Sequence, residues 1–507
     1  MAEPVVLNPQ DTVAILTARA AAGDTPLGTG SPLEAMVPTG HKIARRDIAE
    51  GEAIIKFGQI IGYATAPIAA GQHVHTQNCA IGAHDQDYKA GADLDQARAA
   101  IPAIAPRSFS GYRRADGSAG TRNFIALCAT VNCSATVVRR AADILNNDPL
   151  LADYPEIDGV VAFSHGTGCG MASEGPGWEN LQRVLWGHAT HPNVGAAIFV
   201  GLGCEMMQVA RMRQRFGADG QERFHGLTIQ EIGGTTKTVE TIVAKVRELL
   251  PEVNRVQRET IPASALRVAL QCGGSDGMSG ITANPALGVA SDMLAGLGAS
   301  AVLAETPEIY GAEQLLLRRA ADGETADKLI ERIRWWERYT EMNGGSMDNN
   351  PSPGNKAGGL TTILEKSLGA AAKGGATPLT DVLMYGESVT KPGLNFMDSP
   401  GYDPVSVTGQ IASGCQVVVF TTGRGSAFGS KPAPTIKLAT NSRLYETMRD
   451  DMDIDCGEVI DKGVSVAAKG EEILDAILAV ASGTKTKSEA LGLGDNEFVP
   501  WQIGCVM

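Results

Sequence analysis

The sequence predicts an α/β protein in which a small, β-rich N-terminal domain precedes two Rossmann-like α/β regions with mainly parallel sheets. Three observations carry this expectation. Short apolar runs at residues 124–127, 159–163, 196–200 and 266–270 are continuous rather than alternating, as strands covered on both faces are. Helix-like stretches at residues 134–146, 178–186 and 239–250 alternate with them. Finally, Cys133, Cys169, Cys204 and Cys272 each lie just past such a run, at spacings of 36, 35 and 68 residues, close to one, one and two strand-helix-strand units. Parallel strands of that kind end at a common edge, and open α/β sheets bind ligands there.

The elements follow in order. Residues 1–95 carry short β-like runs at 42–44, 53–58 and 60–64 separated by turns, the pattern of a small β domain. Residues 96–109 read as a linker, because Pro102 and Pro106 stiffen an exposed connection. An α/β domain follows over 110–260, repeating strand, glycine-rich turn and helix. The pattern breaks at 257–263, around Pro262. A C-terminal α/β domain then covers 261–507, with strands expected at 301–304, 381–385, 417–421 and 435–439 and helices at 284–295, 311–320 and 326–342.

Composition narrows the function. A formal net charge of −14 over 507 residues, with no basic stripe, argues against nucleic acid or an acidic membrane surface as partner. An anionic substrate therefore needs local arginine, lysine, metal or helix-terminus help. The nine cysteines are odd in number and form no compact framework, which points to a reducing cytoplasm rather than an oxidising compartment. Met1-Ala2-Glu3-Pro4 does not read as a secretory leader, and no run reaches the eighteen or so apolar residues of a membrane span. A homodimer is the default expectation.

Several segments can carry chemistry. His73-Val74-His75 places two imidazoles on one face of a strand, where both can reach a metal or an anion, with His41 and His84 as weaker companions. Equally, alternating histidines can be a solvated face. Ser164-His165 through Gly168-Cys169-Gly170 follows a strand and should open a helix, so its amides suit a carboxylate and His165 can act as acid or base. Its spacing fits neither nucleotide-phosphate loop. Ser275, Asp276, Ser279, Thr282 and Asn284 crowd hydroxyls and amides after Cys272, which suits a polyhydroxylated ligand or a tight turn capped by Asn284. Glu305 and Glu308 offer hard ligands or a base at a strand end, or simply acids near a helix start. Residues 350–356 read as an extended, proline-fixed loop presenting Asn355 and Lys356, and Arg424 follows an apolar strand, placed to fork onto a carboxylate. Asp450, Asp451, Asp453 and Asp455 read as a solvated acidic turn.

Taken together these segments resemble the altronate and galactarate dehydratase family over essentially the whole chain. The matching stretches are Gly40-His41-Lys42, Gly111 through Asn123, Ser164-His165 with Gly168-Cys169, Gly201-Leu202-Gly203-Cys204-Glu205, residues 272–285, Asn350 through Gly359, and Thr422-Gly423-Arg424-Gly425. The resemblance implies that the N-terminal domain is of the SAF (β-clip) kind. It also implies a metal-requiring hydro-lyase that converts a small sugar acid, altronate first and galactarate next, to a 2-keto-3-deoxy acid. Two positions depart from the family pattern: Thr76-Gln77 replaces the continuation of the histidine motif, and Thr167 stands where an aromatic residue is common.

On this resemblance iron is the expected cofactor, as Fe2+ or an iron–sulfur cluster, with Mn2+ as a substitute. Cys133, Cys169, Cys204 and Cys272 are its thiolate candidates; a mononuclear site would favour His165, Asp276, Glu305 or Glu308. His165, Lys356, Asp276 and Glu308 are the expected catalytic groups. Arg122, Asn123, Ser275, Ser279, Thr282, Asn355, Arg424, His73 and His75 are expected to bind substrate, with Arg122 and Arg424 on carboxylates. Two alternatives stand beside the dehydratase: a sulfolactate sulfo-lyase-type C–S lyase, and a non-catalytic sugar-acid-binding protein.

Overall fold

The computed structural model describes residues 4–82, 88–216 and 223–506. His84 lies outside them. The N-terminal module consists of two small antiparallel sheets. Lys42–Ala44 pairs with Val13–Ile15 on one side and His73–Val74 on the other, and Gln59–Ala64 lies between Ala53–Lys56 and Cys79–Ala80. So small a module cannot bury enough apolar surface by itself. Its core of Val13, Ala44, Ile54, Ile61 and Val74 is completed by Leu368 and Ala371 from the helix Ile363–Ala371, far along the chain.

The second unit is a four-stranded parallel sheet with Phe124–Ala129 between Gly159–Phe163 and Val194–Gly201, and Phe224–Thr228 at one edge. Helices Asn132–Asn146 and Thr235–Val253 cover one face through Val138, Ile242 and Val246. Helix Pro176–Ala189 covers the other through Leu181, Val184 and Leu185.

The third unit is a seven-stranded, wholly parallel sheet in the order Leu379–Leu383, Gly393–Met397, Ser300–Ala304, Arg267–Cys272, Val417–Thr422, Thr435–Ala439, Ile454–Asp455. Its strands are buried on both faces, as their apolar runs require. Helices Ala283–Gly296 and Val466–Ala481 pack on one face, and Asp403–Ala412 packs on the other. Among the described residues no helix is long and apolar enough to cross a membrane.

Three local readings change. The helix expected at 311–320 shrinks to Glu313–Leu317, because a 3-10 turn at Thr306–Glu308 and Gly311 at φ +84 precede it. Asn284 is inside its helix rather than at the cap; Thr282 occupies the cap and the Asn284 amide donates to Gly369 O at 2.9 Å. The segments on either side of the second unit are also not mere connections: Ser108–Arg113 and Arg258–Pro262 pair antiparallel, closing that unit with a strand clasp.

The second and third units share one hydrophobic core. Ala126, Phe163 and Leu185 pack with Tyr385, Val405 and Ile411, so the two sheets are joined by buried apolar surface. At this seam Gly187 faces the last turn of helix Asp403–Ala412, and a Cβ there would lie 2.4 Å from Ala412 O and 2.8 Å from its Cα. Both obstacles are backbone, so relief requires the helices to separate. Gly187→Ala is expected to lower unfolding stability by about 1–3 kcal/mol in urea titrations, despite alanine's better helix propensity.

Candidate active site

Two sheet edges collect chemically competent residues, and they differ in kind. The carboxyl edge of the four-stranded sheet carries Cys133, Cys169 and Cys204, all exposed. Backbone bonds from Asn132 N to Thr167 O (2.9 Å) and Met206 N to Gly168 O (3.1 Å) tie their loops together. Among the described residues these three sulfurs do not form a set close enough to share one metal ion. Cys272 is buried at the edge of the other sheet, so the expected four-cysteine set is not assembled. The regular spacing misleads because it runs on from one sheet into the next.

His165 stays with the cysteine loops. No helix opens there; residues 164–175 are loop, and the helix begins at Pro176. Thr167 N donates to His165 Nδ1 (3.2 Å), so Nε2 carries the proton and donates to Ala129 O (2.9 Å). Burial pushes its pKa down to about 4. With both nitrogens engaged, His165 anchors its loop, which corrects the acid–base expectation.

Arg122 and Asn123 are corrected too. All five N–H groups of Arg122 are used: two on Glu489 (2.7 and 2.8 Å) and the others on the carbonyls of Thr121, Val480 and Thr484. The Asn123 amide donates to Glu156 O and Val253 O and accepts from Arg114. Nothing is left for a substrate carboxylate; Arg122 ties its turn to the end of helix Val466–Ala481 and to Glu489, and Asn123 ties it to Glu156 and Val253.

The carboxyl edge of the seven-stranded sheet is where the N-terminal module docks. Its docking depends on a buried carboxylate: Glu365 on helix Ile363–Ala371 accepts from Lys42 (2.8 and 3.0 Å) and Lys56 (2.8 Å), with all three side chains buried. Burial alone would raise the Glu365 pKa, but the two ammonium groups outweigh it and hold it well below the usual range. Lys42 also donates to Gly359 O at 2.7 Å. Backbone meets backbone at this seam, since a Cβ on Gly277 would lie 2.0 Å from Gly40 O.

Docking brings three imidazoles together. His41 Nδ1 lies 3.0 Å from His73 Nε2, and one nitrogen each from His41, His73 and His75 fall within 4.8 Å of one another. His41 Nε2 lies 3.3 Å from Ala357 O, next to Lys356, which is near enough to His75 to disfavour its protonation. Burial, reinforced by the neighbouring histidines and Lys42, pushes the pKa of His73 to about 3 and of His75 to about 4. All three are therefore neutral at pH 7, the form that binds metals, and His75 Nδ1 is buried without a partner. The donor chemistry fits a borderline divalent cation such as Fe2+.

Beside this trio opens a cavity of about 770 Å3, lined by Arg19, Asp276, Met278, Ala357, Arg424 and Arg443 among others. The three arginines are exposed on it, a local reversal of the acidic whole. Asp276 Oδ1 accepts from Met278 N, Ser279 N, Ser279 Oγ and Thr440 Oγ1, while Oδ2 accepts only from Asn441 Nδ2 (3.2 Å). Burial raises its pKa, making the carboxylate a better base. Thr282 is spent on Thr440 O and Ser279 on the Asp276 turn, so they shape the loop. Ser275 O accepts from Asn355 Nδ2, and Asn355 makes a capping box with Ser352 in the short helix Pro353–Ala357, which replaces the expected extended loop. The result is that Lys356 is presented on a braced turn.

Deeper at the same edge lies a second cluster. Lys366 Nζ pairs with Glu308 Oε1, Asn350 donates to that oxygen (3.0 Å), and Cys272 Sγ lies 3.5 Å from Oε2 and 2.7 Å from Lys373 Nζ. Glu305 is beside them with both oxygens unpartnered, its pKa raised by burial and by Glu308. Glu308 is therefore a buried ion-pair member rather than a group facing the cavity.

Lys56, Glu365, Lys366 and Lys373 are not among the residues expected at the site, and Lys42 enters only as part of the Gly40-His41-Lys42 stretch. Lys42 and Lys56 carried one signal, being charges at inward positions of apolar strands. Glu365-Lys366 likewise interrupts an apolar helix face.

Comparison with known proteins agrees along most of the chain. Residues 2–82 match the altronate/galactarate dehydratase SAF domain, 111–254 the second domain of D-galactarate dehydratase/altronate hydrolase, and 263–506 the D-galactarate/altronate dehydratase C-terminal domain. The chain is 39% identical over 455 residues to altronate dehydratase of Escherichia coli (strain K12) and 37% over 454 to that of Bacillus subtilis (strain 168), covering 89% of both chains in each case. It is 37% identical over 466 residues to galactarate dehydratase (L-threo-forming) of E. coli, covering 90% of this chain and 88% of that one.

Two outcomes follow. Glu365→Gln leaves two buried lysines without a counter-charge and is expected to cost about 3–5 kcal/mol, read by denaturant unfolding. His165, His188 and His191 are buried with pKa values of about 4, 4 and 3, below the unfolded value. The unfolded chain therefore takes up protons that the folded one refuses. Stability should fall as pH drops from about 6.5 to about 4, by up to about 1.4 kcal/mol per pH unit per histidine, measured by urea midpoints at about pH 7 and about pH 5.

Proposed function

Because the chain belongs to the altronate and galactarate dehydratase family, a family of sugar-acid hydro-lyases, we propose that it dehydrates altronate, and galactarate more slowly, to the 2-keto-3-deoxy acid in the cavity beneath the N-terminal module. The observation that carries this reading is the convergence of a neutral histidine trio, Lys356 and an arginine-lined cavity at one interdomain seam.

The residues divide the work. Arg424, exposed on the cavity, binds the substrate carboxylate, with Arg19 and Arg443 attracting the anion. Asp276 Oδ2, the less engaged oxygen of a carboxylate made more basic by burial, takes the proton from the carbon next to the carboxylate. Lys356 Nζ gives a proton to the hydroxyl leaving the adjacent carbon, so that water departs. The enol that remains tautomerises to the keto acid. His41, His73 and His75 would hold the divalent metal, Fe2+ with Mn2+ as substitute, which supplies Lewis-acid stabilisation of charge on substrate oxygens.

The test is a 2-keto-3-deoxy acid assay on altronate, galactarate and sulfolactate with fresh ferrous iron. Turnover of a sugar acid is expected, with Lys356→Ala slowing it by about 10²–10⁴-fold and Arg424→Ala acting mainly on KM. Release of sulfite from sulfolactate with no sugar-acid product would replace this reading by a C–S lyase. Full activity in both variants would refute the assigned roles.

A further inference from the structure

We propose that Cys272, Glu305 and Glu308 form a second divalent-cation site, buried beneath the active edge and separate from the histidine trio. Ligand atoms of the three residues lie within 4.8 Å of one another, and all three are buried. The fold itself produces the arrangement. Cys272 ends one strand and Glu305 directly follows its parallel neighbour, so the sheet register sets them side by side. The 3-10 turn Thr306–Glu308 then returns Glu308 to the same point.

Glu305 supplies the independent observation. It is fully buried, both of its oxygens lack a partner, and its backbone is held at φ +75, an uncommon conformation for a residue other than glycine. A buried carboxylate with no donor is costly unless a proton or a cation meets it. Its neighbours leave open the donors a cation needs. Lys366 and Asn350 occupy only Oε1 of Glu308, so Oε2 faces Cys272 Sγ unclaimed by any nitrogen donor. Lys373 donates to Sγ, a contact that a metal-bound thiolate keeps as a supporting hydrogen bond.

Ligand type agrees. One thiolate with two carboxylates suits a borderline ion such as Zn2+, Fe2+ or Co2+ rather than Ca2+ or Mg2+, which take oxygen alone. All three residues are buried, so the site is closed and structural, fixing Glu305 and tying helix Ile363–Ala371 to the sheet edge.

The test uses chelator-treated full-length protein with Cys133, Cys169, Cys204 and Cys505 changed to serine, titrated with Co2+. A near-ultraviolet thiolate-to-cobalt absorption saturating at one equivalent is expected; it should persist in His73→Ala and vanish in Cys272→Ala. Glu305→Gln, which keeps the thiolate, is expected to weaken that Co2+ equivalent at least tenfold. No such absorption at stoichiometric Co2+, an absorption that survives Cys272→Ala, or an unchanged affinity in Glu305→Gln would overturn the proposal. The inference does not depend on the dehydratase reading: loss of activity in His73→Ala with the absorption intact concerns the histidine site alone.

Discussion

The buried carboxylate of Glu365 is the contact on which the active edge depends. It lies between Lys42 and Lys56, which belong to different sheets of the N-terminal module, and it also accepts from Thr361 N and Oγ1 at 2.9 and 2.8 Å. Three charges buried together make a poor source of net stability, since desolvation offsets most of their attraction. They make a strong source of specificity. Satisfying both lysines at one carboxylate constrains the docking angle of the module, and in the observed orientation His41, the residue before Lys42, lies against Ala357 O. The small apolar core shared with Leu368 and Ala371 supplies the adhesion, and the ion triad supplies the register.

That docking also sets the local electrostatics. An acidic chain repels an acidic substrate, yet the cavity is rimmed by Arg19 from the N-terminal module, by Arg424 from a loop at the end of the large sheet and by Arg443 from the short helix Ser442–Thr447. Only the assembled seam concentrates these cations. The nearby imidazoles are kept neutral by burial and by Lys42, so they add ligand capacity rather than positive charge. Positive charge and metal-ligand capacity thus fall to different residue types a short distance apart.

Much of this was legible in the sequence, and what was not has definite physical reasons. Continuous apolar runs marked the strands of both parallel sheets, because a strand covered on both faces has no polar side to alternate with. His73 and His75, Asp276, Lys356 and Arg424 were visible as chemistry at strand and loop ends. The sequence does not show that Arg122 is already engaged, because its partner Glu489 is 367 residues away. The Lys42–Glu365 contact spans 323 residues, beyond the reach of any local pattern. Cysteine spacing reported the strand-helix-strand repeat faithfully, but it could not report that the chain leaves one sheet and enters another before Cys272.

The two halves of the active edge meet in consecutive residues. Glu365 and Lys366 are neighbours on one helix and both are buried, so their side chains leave the axis about 100° apart, one turned to the histidine module and the other to the Glu308 cluster. A rigid helix cannot shift one without the other. A shift of the helix axis that carried Lys366 away from Glu308 would also move the carboxylate that holds Lys42 and Lys56, and with it the residue that positions His41. Mechanical coupling between the deep cluster and the cavity therefore needs no chain of intermediates. It follows from placing an anion and a cation side by side in an otherwise apolar helix, each committed to a different neighbour.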